Sequence, residues 1–119
     1  MEWNLTDAEL KIMTVLWEQG DTNAKDIYEA LREETGWSIN TTYTLIKRCI
    51  SKGAIRRSEP KFRCHALVER TQVQESETDN LIDKLFNGSA DKLFAALVSG
   101  NRVSREQLRK LRDLVDELE

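Results

Sequence analysis

Leu10, Met13, Leu16 and Trp17 recur at the spacing that gives a helix one apolar side, and polar residues occupy the positions between them. The segment before them reads as a helix start. Thr6 is placed to cap, Glu9 stands three residues on to complete a capping box, and Leu5 with Leu10 forms a hydrophobic staple. The first helix is therefore expected from about Asp7, with Gly20 as a left-handed stop. A second helix fits Ala24 to Glu34, capped by Asn23, with Ala24, Ile27, Tyr28 and Leu31 on one face and Gly36 beyond it. A third opens at Ser38 and ends before Gly53. Its apolar stripe is Ile39, Thr42, Leu45, Ile46 and Cys49, and its opposite face holds Asn40, Tyr43, Thr44, Lys47 and Ser51, with Arg48 at the edge. That opposite face carries no acid.

After Gly53 the period shortens to two. Ala54 to Ser58 and Phe62 to Leu67 read as short strands around Glu59-Pro60-Lys61, a hairpin rich in cations. Three further amphipathic helices are expected: about Gln72 to Asn87, about Ala90 to Ser99 capped by Ser89, and about Arg105 to Leu118. The last repeats the opening signature, with Ser104 as cap, Gln107 three on, and Val103 with Leu108 as staple. Its Leu108, Leu111, Val115 and Leu118 are spaced 3, 4, 3, as in a coiled-coil seam.

Length and composition narrow the choices. With 119 residues the chain is one small domain or two sub-modules, and its longest apolar run, Leu93 to Val98, is far below the roughly 20 residues of a membrane span. No basic start followed by an apolar stretch marks the N-terminus, so a soluble, cytoplasmic protein without a cleaved leader is expected. Two cysteines, Cys49 and Cys64, are too few for a disulfide framework and lack zinc-knuckle spacing. Cys64 and His65 would make half a tetrahedral metal site, and a strand would send them to opposite faces. A lone His, with no nucleophile elbow and no phosphate loop, leaves little material for catalysis, so neither an enzyme nor a cofactor or metal centre is expected.

The formal net charge of -3 hides an asymmetry. Residues 1–37 carry 3 basic and 9 acidic side chains, net -6; residues 38–65 carry 7 and 1, net +6; residues 66–119 carry 8 and 11, net -3. The cations thus gather on the third helix and the hairpin, the pattern of a surface that meets a polyanion.

Three helices and a two-stranded hairpin within about 67 residues follow the order of a winged helix-turn-helix, in which the third helix enters the DNA major groove and the wing lies along the backbone. The expected fold is mainly α: a winged helix over residues 1–70 and a three-helix dimerisation region over 71–119. Asn40 suits adenine, Lys47 guanine acceptors, and the methyls of Thr41 and Thr44 a thymine methyl. Arg56, Arg57, Lys61 and Arg63 are candidates for phosphate contacts, although strand alternation prevents all of them from facing DNA together. Three C-terminal helices enclose little core alone, so their apolar residues need a partner, most simply a second copy. The candidates are Leu81, Leu85 and Phe86, then Leu93 and Leu97, then Leu108, Leu111, Val115 and Leu118. A two-fold dimer predicts an inverted-repeat operator. Two alternatives stand beside this reading: a winged-helix adaptor for an acidic protein, and a regulator that senses a metal or ligand.

The sequence resembles the BlaI/MecI penicillinase repressors and the related CopY copper repressors over nearly its whole length. The resemblance is carried by Asp7-Ala8-Glu9-Leu10-Lys11-Ile12-Met13 with Leu16-Trp17, by Gly36-Trp37-Ser38, by Thr41 with Thr44-Leu45-Ile46-Lys47-Arg48, and by Lys52-Gly53-Ala54-Ile55. It implies a homodimeric transcriptional repressor of operators with TACA/TGTA-type half-sites, read through Ser38, Thr41, Tyr43, Thr44 and Arg48. Where the family often has Pro after the capping Ser and a basic residue four positions further on, this chain has Ile39 and Tyr43. The family's Asn-Phe cleavage bond aligns with Ala96-Leu97, and the C-terminal Cys cluster of the copper-responsive members is missing. A regulatory protease or sensor therefore stays open as a partner.

Overall fold

The computed structural model describes residues 3–118. In chain order these form α1 (Asp7–Gln19), β1 (Thr22–Asn23), α2 (Ala24–Thr35), α3 (Ile39–Ser51), β2 (Ile55–Ser58), β3 (Arg63–Ala66), α4 (Arg70–Leu85), α5 (Ala90–Ser99) and α6 (Arg105–Leu118). The chain divides into two compact units, Met1–Glu77 and Thr78–Glu119.

The N-terminal unit is built as its pattern dictates. At the start of α1 the Thr6 side chain accepts from the Glu9 N–H at 3.2 Å, and the Glu9 carboxylate accepts from the Thr6 N–H at 2.8 Å. Both orphan donors of the capping box are thereby satisfied. Ile12, Met13 and Leu16 of α1, Ala24, Ile27 and Leu31 of α2, and Leu45, Ile46 and Cys49 of α3 are buried together with Ile55, Phe62, Cys64, Val68 and Val73. Each large side chain so removed from water contributes about 1.5–3 kcal/mol. Trp17 closes one side, its indole N–H donating to the Val68 carbonyl at 2.9 Å.

A three-stranded antiparallel sheet of order β1-β3-β2 sits beside the helices. Thr22 and Asn23 pair with Cys64 and Arg63, and Ile55 to Ser58 pair with Ala66 to Arg63. The expected hairpin is therefore a three-stranded wing. Its turn is longer than expected, because Phe62 leaves the strand: Lys61 and Phe62 both have positive φ, 68° and 50°.

Five local expectations are corrected. Ser89 precedes α5 but makes no side-chain capping bond, because its hydroxyl donates to the Asp91 carboxylate. Gly20 has φ 80° and ψ -163°, which turns the chain out into β1 and not into the left-handed cap; Gly36, at φ 70° and ψ 11°, is the left-handed one. Asn23 makes no side-chain capping bond, because it is spent on β1 and its Oδ1 accepts from Arg63. Ile39 is 38% exposed, since the first turn of α3 projects beyond the core that the rest of its stripe enters. Helix α4 begins at Arg70, ahead of the expected Gln72, because the Glu69 N–H finds the Gln72 side chain at 2.8 Å and starts the helix there.

In the C-terminal unit, Ser104 and Gln107 form a reciprocal capping box at the start of α6, at 2.9 and 3.1 Å. Neither α5 nor α6 contains a buried residue. Phe94, Leu97, Val98, Leu108, Leu111 and Val115 line an apolar groove of about 490 Å³. No described helix is long and apolar enough to cross a membrane.

Candidate nucleic-acid interface

Helix α3 is held by its buried side and presents the other. Thr42, Leu45, Ile46 and Cys49 face the core, with Thr42 donating from its hydroxyl to the Ser38 carbonyl at 3.1 Å. Ser38 caps the helix, accepting from the Thr41 N–H at 3.1 Å while its own hydroxyl donates to Thr41 Oγ1 at 3.1 Å. On the outward side Asn40, Thr41, Thr44, Lys47 and Arg48 are exposed. The Thr44 hydroxyl donates back to the Asn40 carbonyl at 3.0 Å. None of Lys47, Arg48 or Arg56 has a carboxylate partner among the described residues. Cations without carboxylate partners beside exposed polar side chains on a helix suit a groove lined by phosphates.

Tyr43, expected on the same face, is half-buried. Its ring lies 5.6 Å from that of Phe62 at the wing turn, inclined at 54°. The helix and the wing are thus in direct contact through two aromatic side chains.

The wing cations divide into two groups. Arg56 and Lys61 are exposed without an ion-pair partner among the described residues. Arg57 stacks over the Phe62 ring with its guanidinium carbon 3.6 Å from the centroid, and pairs with Glu59 at 2.8 Å. That hydrogen-bonded pairing holds Glu59 below the usual carboxylate range and raises Arg57 further. Arg63 donates to Asn23 Oδ1 at 3.3 Å and to the Asp21 carbonyl at 3.1 Å, tying β3 to the strand before α2. These two arginines brace the wing.

His65 faces away from Cys64, as strand alternation requires. Its Nδ1 lies 2.8 Å from Asp21 Oδ2 and its Nε2 2.7 Å from Ser58 Oγ. A ring nitrogen beside a carboxylate carries a proton, so Nδ1–H donates to Asp21, while Nε2 shares a hydrogen bond with the Ser58 hydroxyl. Cys64 and Cys49 are fully buried, and burial pushes their thiols up to about 11 and about 12. Among the described residues no group of three or more His, Cys, Asp or Glu could hold a metal ion.

One further cation on this side belongs to the acidic part of the sequence. Lys25 is exposed on the first turn of α2, inside the acidic 1–37 segment, and lines a concavity of about 640 Å³ with Asp26, Tyr43, Arg57, Lys61 and Phe62.

Residues 5–117 match the family described as penicillinase repressor. The chain is 27% identical over 116 residues to the methicillin resistance regulatory protein MecI of Staphylococcus aureus, covering 96% of this chain and 94% of that one. Among solved structures it is similar to the DNA-binding domain of the repressor BlaI, with a TM-score of 0.53 and 27% identity over 60% of this chain and 92% of the other. It is also similar to the monomeric form of Bacillus licheniformis BlaI solved in complex with the blaP half-operator, with a TM-score of 0.51 and 26% identity over 60% and 89%.

Proposed function

The chain belongs to the penicillinase repressor family, and on that premise we propose that it is a DNA-binding transcriptional repressor acting as a homodimer on an inverted-repeat operator. Its two regions divide the work: residues 1–70 bind DNA and residues 71–119 join two copies. The observation that carries the reading is the acid-free outward face of α3, with Lys47 and Arg48 unpaired, beside the unpaired wing cations Arg56 and Lys61. The solved complex of BlaI with its half-operator supports a duplex as the occupant of this face.

In this mechanism α3 enters the major groove. Asn40 and Lys47 read base edges, the methyls of Thr41 and Thr44 meet thymine methyls, and Ser38, Tyr43 and Arg48 complete the helix contacts. Arg56 and Lys61 hold phosphates and so set register without reading sequence, while Arg57 and Arg63 keep the wing in shape for them. A two-fold pairing through α5 and α6 presents two copies of α3 to successive major-groove faces, and occupancy of the operator blocks transcription.

Fluorescence anisotropy of the full chain on a TACA/TGTA inverted repeat and on a random duplex tests this. A dimer that neutralises roughly 6 to 10 phosphates loses about three to five orders of magnitude in affinity between 50 and 200 mM salt. Binding that ignores salt, or that does not prefer the repeat, refutes the reading.

A further inference from the structure

The concavity beside Tyr43 lies where three separate parts of the N-terminal unit meet: the first turn of α2, the flank of α3 and the turn of the wing. Of its cations, Arg57 is already engaged by Glu59, whereas Lys25 and Lys61 have no carboxylate partner among the described residues. Asp26 is the single acid in the lining, so the concavity is cationic even though α2 belongs to the acidic part of the chain. The rings of Tyr43 and Phe62 form two of its walls, and low-dielectric walls concentrate the field of nearby charges.

Its position relative to α3 specifies the anion. Tyr43 follows Asn40 by three residues, which at 100° per residue places it about 60° around the helix from the outward face. A helix seated in a major groove about 12 Å wide has a phosphate strand along each flank. The flank bearing Tyr43 therefore looks toward one of those strands and away from the base edges. The geometry points to a phosphate seat in which Lys25 of α2, Lys61 of the wing and the Tyr43 hydroxyl hold one backbone phosphate of the strand flanking α3, on each half of the operator. Lys25 is then a DNA-binding residue, and Tyr43 contributes to positioning in place of base reading. The inference rests on the proposed operator binding and adds to it a contact outside α3 and the wing.

The test uses the full chain, its Lys25→Ala and Lys25→Arg variants, and duplexes in which single phosphates are replaced by uncharged methylphosphonates. Lys25→Ala should weaken the inverted repeat and the random duplex by the same factor, about fivefold, and lower the salt slope by about one per bound half-site. Lys25→Arg should restore both. Wild-type chain should lose affinity when one flanking phosphate per half-site is neutralised, and Lys25→Ala should be insensitive at that position. An unchanged salt slope, or a methylphosphonate profile identical to that of wild type, overturns the seat. Inorganic phosphate at constant ionic strength should not displace the duplex; displacement from wild type but not from Lys25→Ala would assign the seat to a free anion and overturn the proposal as well. Circular dichroism verifies that the variants are folded. Absence of salt-dependent duplex binding by the wild-type chain would strike the proposed function itself, whereas wild-type binding with an indifferent Lys25 strikes this inference alone.

Discussion

Glu9 serves two structures with one carboxylate. It completes the capping box of α1 and accepts from Lys52 Nζ at 2.6 Å, with only 1% of its side chain exposed. Lys52 also donates to the Asn4 carbonyl at 2.7 Å, so the end of α3 is tied to the start of α1. Burial alone would raise the Glu9 pKa, but the hydrogen bond and charge of Lys52, with the Thr6 N–H, outweigh it and hold the carboxyl below its ordinary 4.5. A carboxylate depressed in the folded state stabilises the fold above its unfolded pKa, and that stabilisation is lost as pH falls from about 4.5 through the lowered value. Urea midpoints measured from pH 6 to pH 3 should fall through this window in the wild type. Lys52→Ala, which leaves the buried carboxylate without its cation, should cost about 2–3 kcal/mol at neutral pH. The capping half of this arrangement is legible in four consecutive residues. The Lys52 half is not, because a contact between residues 43 apart exists only once α1 and α3 have packed. Tyr43 shows the same limit: its helical phase puts it beside the outward face, and only the position of Phe62 makes it half-buried.

At the scale of elements, every helix was legible from its period, and the caps of α1, α3 and α6 from their capping residues, while Asn23 and Ser89 make no capping bond and α4 starts two residues early. Strand β1 was not. Two residues, Thr22 and Asn23, carry no period, and they become a strand because β3 offers them an edge. That edge matters to the wing. Arg63 and His65 of β3 both reach back to the β1 side, and His65 also engages Ser58 of β2, so one residue joins all three parts of the sheet region. His65→Ala should cost about 1 kcal/mol, the net worth of a typical hydrogen bond, and should speed amide exchange in β2 and β3. Arg56→Ala, which removes an unpaired cation from the same sheet, should leave exchange unchanged while weakening duplex binding. Hydrogen-exchange mass spectrometry separates the two outcomes.

For the whole molecule, charge and apolar surface are distributed by unit. The net charge of -3 would suggest a chain repelled by nucleic acid, yet the +6 block lies on one helix and one wing of the N-terminal unit. In the C-terminal unit Leu81, Leu85, Phe94, Leu111, Val115 and Leu118 remain between 38% and 88% exposed, apolar surface that the proposed pairing of two copies would cover. The 3, 4, 3 spacing in α6 is legible in the sequence and underlies the proposed pairing of two copies, whose geometry no single chain carries. If two copies pair as proposed, Leu111→Asp should give a monomer where the wild type sediments as a dimer and should weaken operator binding steeply, while the melting of the N-terminal unit stays within about 0.5 kcal/mol of wild type. The two cysteines give that unit a clock of its own. Only thiolates attack disulfide reagents, and Cys49 and Cys64, buried with thiols raised to about 12 and about 11, present almost none while the unit is closed. Both therefore react only when the N-terminal unit opens, and should do so together. Labelling by an aromatic disulfide then records the lifetime of the N-terminal unit in a chain whose other half contains no cysteine and stays silent.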